Sequence, residues 1–204
     1  MFGYLQPGGS TMIAVNFAVG PRMMLHSGVW FDFLDPASSA FVIEDIAYGL
    51  SHICRYAGQC SAFYSVAEHS LLVSEVAHGH EYSALMHDAA EAFIGDVTRP
   101  LKQLLPDFKR IEAVVEAAIF ERFDVPTPMP KEIKRADLCV LAAEQAQIMP
   151  PETSLWAREE GIVPAPVTVR YLSPRAARTA FLKRFEELRP QSRHSAGTRS
   201  ARVA

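Results

Sequence analysis

The chain has 204 residues, 49% of them hydrophobic and 21% charged, which suits one globular domain with its own core and excludes a disordered or low-complexity protein. Its 20 Lys and Arg against 23 Asp and Glu give a formal net charge of −3, so no global charge draws it to a nucleic-acid polymer or an anionic membrane. Three cysteines, Cys54, Cys60 and Cys139, match neither a zinc knuckle nor a disulfide framework, and read as buried free thiols of a reducing compartment.

The first residues, "MFGYLQPGGSTMIAVNF", lack the basic start and cleavable apolar core of a signal peptide. No apolar run reaches the roughly 18 residues of a membrane span. The expected location is therefore the cytoplasm, and residues 1–11 are set aside as an upstream start or an expression scar. Residues 1–40 read as an irregular segment packing on the core, with a short strand in "GVWFDFLDP". From Phe41 onward the apolar residues recur at helical spacing: Ile43, Ile46, Ala47 and Leu50; then Val66, His69, Leu72, Val73 and Val76. The stretch "EYSALMHDAAEAFIGDVTRP", residues 81–100, reads as a further, mostly apolar helix. Phe108 to Arg122, Ile133 to Glu144 and Ala177 to Leu188 carry later stripes. The prolines of "VPTPMP" mark a helix start, "MPPETS" ends that helix, and Val167 to Leu172 reads as a short strand. The last residues, 191–204, hold three arginines and no acid, and read as a flexible basic tail. The expected fold is all-α: a single bundle of about six helices over residues 41–190.

Polar groups lie on three of these apolar stripes. His69 is on one, His87, Asp88 and Glu91 share the next, and Asp137 sits between Ile133 and Val140. Each has an ordinary explanation alone: a hydrogen-bonded core histidine, a glutamate paired with a lysine at a helix end. Together they are harder to place, because an unpartnered buried carboxylate costs several kcal/mol. One divalent cation answers for all of them, and two imidazoles with two carboxylates suit Zn, Mn, Fe, Co or, less faithfully, Mg. His87 and Asp88 point about 100° apart on a helix, yet both can border an ion held at the bundle centre.

The segments "VAEHS", "ALMHDAAEAFIGDVTRPLK" and "KRADLCVLAAE" resemble the HD-domain phosphohydrolases: one histidine, a His-Asp pair and a distant aspartate. More narrowly they are similar to the bacterial YfbR-like 5′-deoxynucleotidases and their phage relatives, over about residues 41–150. The resemblance implies that His69, His87, Asp88 and Asp137 bind one divalent metal ion. It implies that Glu91 positions a nucleophilic water and that Asp96 acts on that water or on the leaving oxygen. Arg55 stands where that branch has a phosphate-gripping arginine; Tyr56 follows it where a tryptophan is usual, which touches base and sugar contacts rather than the chemistry. Lys102 and Thr98 are further phosphate-side candidates, and helix N-capping is the plain role for Thr98. Gly95 permits a turn that directs Asp96 inward, or caps a helix.

The resulting expectation is an enzyme that hydrolyses the phosphate ester of a 5′-(deoxy)nucleotide. Its partner is a small nucleotide substrate, with no nucleic-acid polymer and no membrane, and its relatives suggest a homodimer. Two alternatives stand beside it: a (d)NTP triphosphohydrolase or other HD-type nucleotide phosphodiesterase, and a sensor that binds metal and nucleotide without turnover.

Overall fold

A computed structural model describes residues 20–190; the segment 1–19 and the tail 191–204 lie outside the described residues, and with them the expectations for residues 1–11 and for the tail. Residues 20–40 are more regular than expected. Strands β1 (Arg22–Met24) and β2 (Trp30–Asp32) pair antiparallel, with Met23 opposite Phe31. Arg22 Nε bonds Asp32 Oδ2 at 2.9 Å across the pair. Phe31 is fully buried and stacks on Phe93 at 4.1 Å between ring centres, so the hairpin seals one side of the helical body.

The rest is helical. In chain order come α1 (Ile43–His52), α2 (Val66–Val76), α3 (Glu81–Met86), α4 (Glu91–Ile94), α5 (Arg99–Lys102) and α6 (Pro106–Arg122). They are followed by α7 (Lys131–Ile148), α8 (Leu155–Glu159) and α9 (Pro174–Leu188). Five of these match the periodic stripes closely. The sixth, over residues 81–100, does not run through. Its backbone tightens after Met86 into bonds spanning three residues, Ala89 N to Met86 O at 3.0 Å and Glu91 N to Asp88 O at 3.0 Å, before α4 resumes. None of the described helices is long and apolar enough to cross a membrane.

Helix α2 is the axis of the fold and touches α1, α3, α7 and α9. It is buried from Val66 through Ser74, so it cannot be amphipathic, and every polar side chain it carries inward needs a partner. Ser65 caps it, accepting from Glu68 N at 3.2 Å. Ser70 donates to Val66 O and Ser74 to Glu81 O. Glu68 accepts from the backbone of Arg170 at 2.6 Å and Leu172 at 2.7 Å.

That last pair corrects the strand expected at Val167–Leu172. Among the described residues the segment has no neighbouring strand; Glu68 and the Gln147 side chain, which accepts from Val169 N at 3.0 Å, replace the ladder. The cysteines also differ from expectation, being half-buried rather than buried. A tight turn over Arg55–Gly58 folds back so that Cys54 Sγ lies 3.7 Å from Cys60 Sγ, both as free thiols.

Candidate metal centre

His69 enters from the first turn of α2, His87 and Asp88 from the tightened turn between α3 and α4, and Asp137 from the second turn of α7. The ligand atoms of His69, His87 and Asp88 all lie within 4.8 Å of one another, and this group could hold a metal ion. His87 Nε2 is 3.2 Å from Asp88 Oδ2, and His69 Nε2 is 3.5 Å from the same oxygen. Asp137 Oδ1 stands 3.3 Å from His69 Nε2 and 4.0 Å from His87 Nε2. The tightened turn brings the adjacent His87 and Asp88 to one centre.

The outer nitrogen of each ring is already engaged. His87 Nδ1 meets Ala84 O at 2.7 Å, and His69 Nδ1 meets Glu144 Oε1 at 2.6 Å. Because those acceptors require a proton on Nδ1, each neutral ring presents the Nε2 lone pair inward. Both Nε2 atoms are buried and have no hydrogen-bond partner among the described residues. Two buried lone pairs facing two carboxylates are the donor set a divalent cation needs, and an isolated core would leave them as a penalty. The residues therefore fit a metal.

The charges agree. Burial and the Arg55 guanidinium oppose protonation of His69, but Glu144 and Asp137 outweigh them and hold its pKa at about 9. Burial would raise Asp88 and Asp137; the neighbouring imidazoles overcome it and hold both well below the carboxylate range. Glu144 is likewise brought down to about 2, against burial, by His69 and Arg55. Glu91 goes the other way: burial first, then Asp88 and Asp96, push its carboxyl well above the usual value. Its Oε2 is buried without a partner.

A cavity of about 650 Å³ opens beside this centre, with Asp88 and Asp137 in its wall. All of the predicted non-histidine site residues line it: Arg55, Tyr56, Glu91, Asp96, Thr98 and Lys102. Arg55 is only 8% exposed and reaches from Glu144 Oε2 (3.4 Å) toward Asp88 Oδ2 (3.8 Å), with its Nε unpartnered. Tyr56 and Ala57 adopt left-handed backbone, φ 57° and 51°, in the turn that carries the arginine. Gly95 has φ 80° and ψ 158°, a region that only glycine occupies easily, and both ends α4 and begins the turn to Asp96. Thr98 precedes α5 but its side chain caps nothing. Lys102 is committed to Glu112 at 2.7 Å while bordering the cavity, and Lys134 to Asp137 Oδ2 at 2.7 Å.

Sequence reasoning missed the function of Glu144. Fully buried, it accepts from His69 Nδ1, Tyr64 OH, Tyr56 OH (2.9 Å) and Arg55 Nη2, so one carboxylate supports both the inward histidine and the cavity arginine. Its place on the α7 stripe, two turns after Asp137, was the available signal.

No family model matches the chain. It is 44% identical over 152 residues to the uncharacterized protein YfdR of Escherichia coli (strain K12), covering 72% of this chain and 84% of YfdR. It is 33% identical over 181 residues to the uncharacterized protein RCAP_rcc00048 of Rhodobacter capsulatus, covering 79% of this chain and 92% of that protein. Similarity of that depth along most of both partners is shared descent, and the chain belongs to the family that includes YfdR and RCAP_rcc00048.

Proposed function

We propose that the protein is a metal-dependent HD-domain phosphohydrolase that releases orthophosphate from 5′-(deoxy)nucleoside monophosphates. The observation that carries this reading is the pair of buried, unpartnered Nε2 atoms facing Asp88 and Asp137 at the wall of a cavity that also holds an arginine.

In this reading His69, His87, Asp88 and Asp137 hold one divalent ion. When bound, such an ion supplies Lewis acidity, compensating phosphoryl charge and making water acidic enough to attack near neutral pH. The protein groups do the rest. Arg55 presents a planar fork to the phosphate oxygens, already desolvated and held by Glu144, so little ordering remains to be done when substrate arrives. Thr98 adds a hydroxyl not engaged in capping, and Lys102 a positive charge at the rim. Glu91, with one oxygen free of protein partners, orients the attacking water, and Asp96 accepts its proton. Water adds to phosphorus as the P–O5′ bond breaks, the proton taken up by Asp96 passes to O5′, and nucleoside and orthophosphate leave.

The test strips the protein of metal, restores Mn, Co, Zn or Mg singly, and measures phosphate released from dNMPs, NMPs and dNTPs. Orthophosphate from dNMPs with at least one metal is expected. Triphosphate or pyrophosphate from dNTPs would replace the nucleotidase reading with a triphosphohydrolase. Tight metal and nucleotide binding without product across the panel would make it a sensor.

A further inference from the structure

The cavity lining is of two chemical kinds: Arg55, Asp88, Glu91, Asp96 and Asp137 carry charge, and Leu138, Leu141, Gln145 and Trp156 do not. Three of these last four lie along α7, spaced i, i+3 and i+7, on the helix that also supplies Asp137. At a rise of about 1.5 Å per residue, Leu141 stands about 6 Å and Gln145 about 12 Å along the axis from Asp137. The uncharged wall on α7 therefore extends from Asp137 for roughly the length of a sugar and a ring.

Trp156, on α8, joins this wall. Its indole Nε1 donates to Gln145 Oε1 at 2.6 Å, fixing both side chains. That bond leaves the carboxamide NH₂ of Gln145, two donors, free to meet a ring nitrogen or exocyclic oxygen. The indole, Leu138 and Leu141 are half-buried, and a planar apolar face beside a single fixed polar group is what orients a heterocycle.

We propose that Trp156, Leu138, Leu141 and Gln145 form the subsite for the substrate's heterocyclic base and make Trp156 and Gln145 its specificity-determining residues. This rests on the phosphohydrolase reading above for the position of the phosphate, and the experiment separates the two.

The chain has two tryptophans, and Trp30 lies on the exposed side of β2 away from the cavity lining. Trp30→Phe thus leaves Trp156 as the single tryptophan, read selectively by excitation beyond the tyrosine band. With Mn-loaded W30F protein, dAMP is expected to quench Trp156 emission saturably, and 2-deoxyribose 5-phosphate, which has no base, is expected not to. In the kinetic arm, Trp156→Ala lowers kcat/KM for dAMP by about 5–150-fold, the loss of one base–aromatic stack. It leaves hydrolysis of 2-deoxyribose 5-phosphate unchanged, and Trp156→Phe restores most of the dAMP rate. Gln145→Leu shifts the ranking among dNMPs without touching the sugar phosphate. Unmoved fluorescence, or W156A losses equal for dAMP and sugar phosphate, would overturn the subsite. Quenching by dAMP with no phosphate released from either compound would support the subsite and refute the hydrolase.

Discussion

Replacing Glu144 by glutamine changes almost no volume and removes one buried charge. The carboxylate now serves four donors, His69 Nδ1 and Tyr64 on Oε1, Tyr56 and Arg55 on Oε2. A carboxamide has one accepting oxygen. If it stays with His69, the NH₂ group opposes Tyr56, whose hydroxyl can rotate to accept, and Arg55, which cannot accept. The His69 bond survives but changes from charge-assisted to neutral. Bonds to charged groups contribute about 1.5–3 kcal/mol and neutral ones about 0.5–1.5, so the loss at His69 is about 1–1.5 kcal/mol. That corresponds to roughly a tenfold weaker metal complex, at the low end of the 10–100-fold typical for groups that orient a metal-binding histidine. Glu144→Ala goes further, because it strands the Arg55 charge. Breaking a buried pair in this way costs about 3–5 kcal/mol. For a chain of this size that is a melting-temperature drop of roughly 6–20 °C. The assay is competition for Zn or Mn against a chromophoric chelator, repeated from pH 7 to pH 9 so that the easier loss of the His69 proton in the variant is separated from the weaker bond, with thermal denaturation of the stripped proteins alongside. A wild-type metal Kd for folded Glu144→Gln would refute the argument that this carboxylate sets the histidine.

Asp137→Ala should lose bound metal and activity together, whereas Asp96→Asn should keep the metal, measured by elemental analysis, and lose turnover. Because His69 titrates at about 9 in the stripped protein against 6.5 for a free imidazole, its proton stabilises the metal-free fold below pH 6.5, and that contribution disappears as pH rises through 9. The stripped protein should therefore melt lower at pH 9 than at pH 6.5 through this group. Metal binding at pH 7 should expel a proton, visible as a dependence of calorimetric heat on buffer ionisation enthalpy. Gly49→Ala should destabilise by about 1–3 kcal/mol, since the added Cβ would sit 2.5 Å from Ala92 O, and chemical denaturation would show it.

That His69, His87, Asp88 and Asp137 lie near one another was legible because each violates the apolar stripe it occupies, and a stripe is a property of neighbours in sequence. Glu144 violates its stripe equally. Its partners, however, lie 75 to 89 residues away, and only the packing of α7 on α2 shows which groups it serves. The tightening at His87–Ala90 was invisible because three- and four-residue spacings share the same apolar pattern. Val167–Leu172 looked like a strand because Val167, Val169 and Tyr171 alternate with polar residues, but Tyr171 turns into left-handed backbone at φ 52°, which breaks the extended run. What alternation cannot report is whether another strand or a glutamate side chain accepts its N–H groups.

Phe31 has a practical consequence. The periodic helical region begins at Phe41, which invites trimming everything before it. Yet Phe31 is buried against Phe41 and Phe93, and Phe93 lies two residues beyond Glu91 on the short helix α4. A shortened chain starting at Phe41 would leave the back of that helix open to water, replacing a stack of aromatic rings with a hydrated notch directly behind the cavity wall. The hairpin is the buttress of the site, and a minimal version of this protein begins before it.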